Sequence, residues 1–285
     1  GINPVPYPIG EFSQNDWTAL PDTTAFDALT QAARNFWNVP SDAAILPAPG
    51  ASALIARIPA LAAASTVDIP TPTYNEHAAA FKAQGWRITD TNPDARVLVH
   101  PNNPDGRLWR AEDAKAPLTI IDESFCDITP DASLIHLAER QGTIVLKSFG
   151  KFWGLAGARL GFAIGDPVLL ARLADFIGPW SVSGPALQVG ARALCDQPWA
   201  QQTRIRLAAD SARLDALMAQ HGATTLGGTT LFRLYEVGDA KAWQDKLAQA
   251  HIWSRIFPYS DRWLRLGLPA PDQWTRLGAA LSASV

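Results

Sequence analysis

The chain is short of several things. It has two cysteines, Cys126 and Cys195, which excludes a disulfide framework and any CxxC pair. Free thiols of this kind point to a reducing, cytoplasmic setting. It has no excess of basic charge. Against 27 Asp and Glu there are 24 Lys and Arg, a net charge of −3, so no basic face argues for nucleic acid or an anionic membrane. It has no apolar run long enough to span a bilayer and no signal-peptide pattern at its start. Methionine occurs once, as Met218, so the expectation is that Gly1 follows residues not included here. The five histidines, His77, His100, His136, His221 and His251, show no metal-ligand spacing, and no metal is expected.

What is present is a globular composition, 47 % apolar and 18 % charged over 285 residues, enough for one large domain or two modest ones. Residues 1–22 are rich in Pro and Gly and read as an irregular arm. Helical apolar spacing covers 24–37, 52–64, 75–84 and 134–140. Short apolar runs at 66–69, 86–89, 97–100, 118–122, 143–147 and 160–164 read as strands. This alternation predicts a mostly parallel sheet covered on both faces. After Gly184 the pattern changes to one long helix over 199–220 and strands near 229–235, 251–256 and 264–268, a smaller α+β unit.

Ligands of open α/β sheets sit beyond the carboxyl ends of the strands. The residues that follow the predicted strands are "PTPTYNEH", "PNNPDG", "DES" and "KSFGK". They bring Tyr74, Asn103, Asp122, Ser148 and Lys151 to one edge. An aromatic, an amide, a carboxylate, a hydroxyl and an amine are a site inventory, which a plain core has no need of. Only six of the basic residues are lysines, yet one of them sits between Gly150 and the aromatics Phe152 and Trp153, with Arg159 eight residues on.

The order PTY, NNPDG, DES, SFGK, GLAGARLG resembles fold-type I pyridoxal-phosphate enzymes of the aspartate aminotransferase superfamily, and within it the histidinol-phosphate aminotransferase branch. The resemblance covers nearly the whole chain. It implies a fold-type I transferase with a three-layer large domain over 24–195. It also implies a smaller α+β domain over 196–285, together with the arm 1–23. It implies pyridoxal 5'-phosphate as cofactor. Lys151 would bond the cofactor aldehyde, since a desolvated lysine has a lowered pKa and serves as nucleophile and proton carrier. Lys147 is the competitor, without the GLAG continuation. Asp122 would pair with the pyridine nitrogen and keep the ring an electron sink. Asn103 would meet the ring oxygen, and Tyr74 would stack on the ring. Arg159, Ser148 and the amides of Ala51 and Ser52 would hold the phosphate. Ser52 would add its hydroxyl or simply cap the helix. Arg255 and Arg265 match substrate-anion arginines, whose planar forks suit carboxylate or phosphate.

Departures narrow the reading. The branch's aminotransferases usually read DEAY, whereas this chain reads DESF, with Phe125 in place of the tyrosine. That phenylalanine, "GINPVPYP" and "WLRLGLPAP" resemble threonine-phosphate decarboxylases of cobalamin synthesis. Leu20-Pro21 stands where relatives carry a Tyr-Pro pair that serves the partner subunit, and Gly150 where many have Ser or Thr. The resemblance therefore implies a homodimeric lyase acting on L-threonine O-3-phosphate. The alternative is an aminotransferase of the histidinol-phosphate type or for another amino acid. A non-catalytic ligand-binding relative is disfavoured by the intact Lys151, Asp122 and Arg159.

Overall fold

Seven strands build the larger sheet: β1 (Ala44–Ala48), β2 (Thr66–Asp68), β3 (Arg87–Ile88), β4 (Ala95–Val99), β5 (Leu118–Asp122), β6 (Thr143–Ser148) and β7 (Gly161–Gly165). Their order is β1-β7-β6-β5-β4-β2-β3 in the computed structural model, which describes residues 1–282. Pairing is parallel from β3 through β6, and β7 runs antiparallel to both β6 and β1. The apolar run LTIID of β5 is buried at every position because the strand is central and covered on both faces.

Successive residues of the central strands face opposite ways. Leu98, Ile121, Val145 and Phe162 enter one core, while Val97, Ile120, Ile144 and Ala163 enter the other. Helices α2 (Thr23–Trp37), α6 (Gly184–Cys195) and α7 (Gln197–Gln220) contribute Leu29, Leu187 and Leu207 to the first. Helices α3 (Ala51–Arg57), α4 (Asn75–Ala83) and α5 (Pro167–Ile177) contribute Leu54, Phe81 and Leu173 to the second. Those are the three layers. A second sheet, β10 (Arg255–Phe257), β11 (Ser260–Gly267), β9 (Phe232–Glu236) and β8 (Thr224–Thr229) in that order, is wholly antiparallel. Helix α8 (Ala240–Gln249) packs on β10 and β11, and α9 (Trp274–Ser282) packs on α8. Residues 283–285 of the expected smaller domain lie outside the described residues.

The structure corrects several local expectations. The arm contains a short helix, α1 (Gln14–Thr18), started by a capping box between Ser13 and Asp16. The edge strand β1 was hidden by Pro47, which an edge tolerates and a central strand does not. Residues 135–139 form a 3-10 turn and not an α-helix. The stretch 229–235 is not one strand but the end of β8 and most of β9. The strand expected from 251 begins pairing only at Arg255. Helices α5 and α6 were not singled out, although Asp166 and Ser183 cap them and a proline follows each cap at the first or second position.

One polar group lies deep between the layers. Lys147 is buried, and its Nζ lies 2.6 Å from Glu123 Oε2 and 3.7 Å from Asp127 Oδ1. Glu123 also accepts from Ser133 Oγ and the Leu134 N–H. Burial alone would lower the lysine's pKa, but the charges of Glu123 and Asp127 reverse this and raise it. Lys147 thus faces the core and ties β6 to the end of β5. Replacing it by methionine leaves Glu123 buried without a counter-charge, a loss expected to cost about 3–5 kcal/mol. Thermal unfolding should show a clearly lower midpoint for Lys147→Met, partly regained in the Lys147→Met, Glu123→Gln double variant.

Candidate active site

The strand order reverses between β2 and β4, since β3 lies outward of β2 on one side while β5 and β6 follow β4 on the other. Such a reversal opens a crevice at the carboxyl ends. A cavity occupies it, lined by Gly50, Ala51, Ser52, Tyr74, Asn103, Asp122, Phe125, Ser148, Lys151 and Arg159 among others. Every residue expected at a cofactor site is therefore in one place. Lys147, the competing lysine, is not among its walls.

Asp122 ends β5 at the floor of the cavity and is buried. His77 Nε2 donates to its Oδ2 at 2.8 Å. The Ser124 hydroxyl and N–H donate to its Oδ1. Burial alone would raise this carboxyl's pKa; the His77 bond and charge and the Ser124 bonds outweigh it and hold it below the usual range. An ionised carboxylate is thereby kept at a dry position. Neither His77 nor Ser124 was expected in the site. The signal for His77 was available: on α4 it lies three residues after Tyr74, so the two share a face, and their rings meet edge to face at 6.2 Å.

Lys151 sits in the loop after β6, 5.3 Å over the ring of Phe125. Its pKa is lowered, first by burial and further by the charges of Arg265 and Arg159, against the opposing pull of Asp122. Phe125 in turn packs edge to face on Phe232 of β9 at 4.9 Å, and Arg265 lies 5.2 Å over Phe232. Each cation thus lies against one ring of an aromatic pair. Phe232 comes from the second sheet, and nothing local in the sequence announced it.

The opposite wall carries a guanidinium beside the start of α3. Gly50, at φ +86°, turns the chain so that the amides of Ala51 and Ser52 open α3. Arg159 is itself left-handed, at φ +50°, and its Nη2 donates to Ser52 Oγ at 2.9 Å. A Cβ on Gly50 would come within 2.5 Å of that guanidinium, and one on Gly161 within 2.4 Å of the Ala51 nitrogen. Ser148 lies beside them and accepts from the Gly150 N–H at 3.3 Å. At Gly150 itself a Cβ would come within 3.3 Å of Ala156 Cα, so a larger residue fits only if that turn moves.

Tyr74 and Asn103 also line a second cavity, shared with Arg255, Tyr259 and Arg265. Arg255 and Arg265 are direct partners in the β10–β11 ladder, so their side chains project on one face. Arg265 Nη1 donates to Asn103 Oδ1. Neither arginine has a carboxylate partner among the described residues. Elsewhere His100, Glu123 and Cys126 bring possible ligand atoms within 4.8 Å of one another. His100, however, accepts from the Trp109 N–H and donates to the Ala132 carbonyl, so both ring nitrogens are committed.

The charges around Lys151 give a signed expectation. Asp122→Asn removes the one charge that raises its pKa, and Arg265→Ala removes one that lowers it. In cofactor-free protein the pH midpoint for labelling Lys151 with an amine reagent, read by peptide mass, should fall in the first variant and rise in the second. No movement in either would refute this account of the amine.

The pattern of the family Aminotransferase class I and II matches residues 91–277. The chain is 38 % identical over 301 aligned residues to a threonine-phosphate decarboxylase of Pseudomonas aeruginosa, covering 99 % of this chain and 89 % of that one. The crystal structure of the histidinol-phosphate aminotransferase from Clostridium acetobutylicum superposes with a TM-score of 0.85 at 20 % identity, over 98 % of this chain and 96 % of that one. That of the histidinol-phosphate aminotransferase from Sinorhizobium meliloti, in complex with pyridoxal-5'-phosphate, does so with a TM-score of 0.76 at 22 % identity, over 94 % and 88 %. With this coverage and a site assembled as the motifs require, the chain belongs to the class I and II aminotransferase family, with its fold-type I architecture.

Proposed function

We propose that this protein is a pyridoxal-phosphate-dependent lyase that decarboxylates L-threonine O-3-phosphate to 1-amino-2-propanol phosphate, a component of the cobalamin nucleotide loop. The observation that carries the choice of substrate is the pair Arg255 and Arg265, side by side across β10 and β11 without acidic partners. Two like charges directly opposite on a ladder repel. A substrate with two anionic groups, a carboxylate and a phosphate, relieves that repulsion and uses both forks. The 38 % identity to a threonine-phosphate decarboxylase supports the same reading.

The residues present fit the cofactor. The Gly50 and Gly161 contacts leave a close-packed cradle beside Arg159, Ser52 and Ser148, suited to its phosphate. Asp122 offers an ionised carboxylate to a ring nitrogen, and Tyr74 a flat face. When bound, pyridoxal phosphate supplies an electron sink for a bond at the substrate Cα. The protein's own residues do the rest. Lys151 Nζ, whose pKa is lowered by burial and by the Arg265 and Arg159 charges, would hold the cofactor by its aldehyde and, once freed by the substrate amine, would supply the proton that replaces CO2 at Cα. Arg255 and Arg265 orient the substrate so that the carboxylate bond is the one aligned for cleavage. Phe125 and Phe232 keep water from the amine. Phe125 also supplies no phenol to the cofactor's ring oxygen, where the aminotransferases have a tyrosine.

Within this reading residues 24–195 carry the cofactor, and 196–285 with the arm 1–23 carry the substrate clamp. Exposed apolar side chains on and near α1 and α6, Trp17, Leu20 and Trp180, suit burial between two copies in a homodimer. No helix among the described residues is long and apolar enough to cross a membrane, and Cys126 and Cys195 are free, in keeping with a cytoplasmic enzyme.

Borohydride reduction of the cofactor-loaded protein should place a pyridoxyl adduct on Lys151. Incubation with threonine phosphate should release CO2 and aminopropanol phosphate. Incubation with histidinol phosphate and 2-oxoglutarate should yield no glutamate; glutamate without CO2 release would establish the aminotransferase instead. Arg265→Lys keeps the charge but loses the fork, and should lower kcat/KM by roughly two decades or more. Phe125→Tyr should shift the cofactor's absorbance without creating transaminase activity.

A further inference from the structure

The arm before α1 reaches the lysine loop through one buried side chain. Asn3 is only 2 % exposed, although it belongs to a stretch with no helix or strand. Its backbone N–H donates to the Lys151 carbonyl at 3.0 Å, and its Nδ2 to the Phe152 carbonyl at 2.8 Å. Its Oδ1 accepts from the Val5 N–H at 3.0 Å and from Arg206 Nη2 at 2.8 Å. Four residues on, the Tyr7 N–H donates to the Trp153 carbonyl at 2.9 Å. Gly154 lies so close beneath the arm that a Cβ there would come within 2.7 Å of Pro6 Cα.

Three consecutive carbonyls, those of Lys151, Phe152 and Trp153, are thus held by the arm. The loop from 149 to 155 belongs to no sheet ladder and no helix. Its side chains are anchored in the core by Phe149, Phe152 and Trp153, all fully buried. Its peptide planes are set from the other side by Asn3 and Tyr7. Rotation of the Lys151 or Phe152 peptide would swing the lysine Cα, and displacement of about 1 Å at a reacting group can cost on the order of a hundredfold in rate.

We propose that Asn3 is a positioning residue: by holding the Lys151 and Phe152 carbonyls it fixes where the Lys151 amine stands between Asp122 and Phe125. The consequence for catalysis rests on the reading of Lys151 as the cofactor-bearing residue; the clamp itself does not. Asn3 joins three segments, and its two side-chain ends separate two tasks. The Nδ2 end serves the lysine loop, whereas the Oδ1 end serves only the arm and α7.

Two substitutions divide those tasks. Asn3→Asp keeps the Oδ1 acceptor for Val5 and Arg206 but puts an oxygen against the Phe152 carbonyl. Arg206→Gln shortens the α7 partner and leaves the lysine loop's bonds in place. Hydrogen exchange of the 149–155 peptide in cofactor-free protein should quicken by about tenfold or more in Asn3→Asp and stay within about twofold of wild type in Arg206→Gln. With cofactor and threonine phosphate, Asn3→Asp should lose about tenfold or more in kcat with KM within about threefold, since the substrate arginines are untouched. If Asn3→Asp does not fold, Asn3→Ala is read against Arg206→Gln, since alanine removes both ends and the Arg206 variant measures the share of the Arg206 bond. Wild-type exchange and kcat in the Asn3 variant, or equal losses in Arg206→Gln, would overturn the proposal. Because exchange is measured without cofactor, a failure to find the pyridoxyl adduct on Lys151 would count against the cofactor reading and leave the clamp standing.

Discussion

Burying an ion pair between the layers constrains everything on the cavity side of it. Lys147 and Glu123 are each adjacent to a residue of the site, Ser148 and Asp122. Their 2.6 Å contact therefore joins the carboxyl ends of β5 and β6 from behind. Asp127 extends the join. Its two oxygens accept separately from the indole N–H groups of Trp37 and Trp153, at 2.8 and 3.0 Å. Trp153 is two residues from Lys151, so the same cluster reaches α2, β5, β6 and the lysine loop. A pair of this kind contributes little net stability over an apolar replacement, but it admits few alternative registers. Burial raises the Asp127 pKa, against the charge of Lys147 and the two indole hydrogen bonds, which favour its ionised form.

In front of that cluster the charges run in sequence across the cavity. A carboxylate is held ionised at the floor, an amine with a lowered pKa stands above it, and guanidinium groups lie on two sides. Arg159 faces the amides that open α3, and Arg265 faces Asn103. The Phe125–Phe232 pair is shared by the two cations, with Lys151 over one ring and Arg265 over the other. Arg159 leads into β7 of the larger sheet and Arg265 lies on β11 of the smaller, so the relative seating of the sheets sets the distance between the two guanidinium groups.

The inward strands were legible because a doubly covered strand reads as a short apolar run ended by a polar residue, as LTIID does. The local motifs at their ends were legible because each needs a particular residue for its backbone or chemistry: glycine at 50 for φ +86°, asparagine at 103, lysine at 151. What was not legible is what depends on distant partners. Pro47 disguised an edge strand. The spacing of His77 from Tyr74 put it beside the site, but nothing local showed that it would meet Asp122, forty-five positions later in the chain. Phe232 takes its place beside Phe125 only through the seating of the second sheet. Asn3 looked like one more polar residue in an irregular arm; its partners lie 149 and 203 positions away.

Those separations bear on how the chain assembles. Contacts distant in sequence form late, because the loops they close must first lose their freedom. Synthesis from the amino end makes Asn3 149 residues before Phe152 and 203 residues before Arg206. Asn3 therefore has neither of these partners until the lysine loop has emerged. The lysine loop, with its three carbonyls, can reach its final form only after that early segment returns to it. The final form of the lysine loop is in this sense set late in folding, once the arm has returned to it.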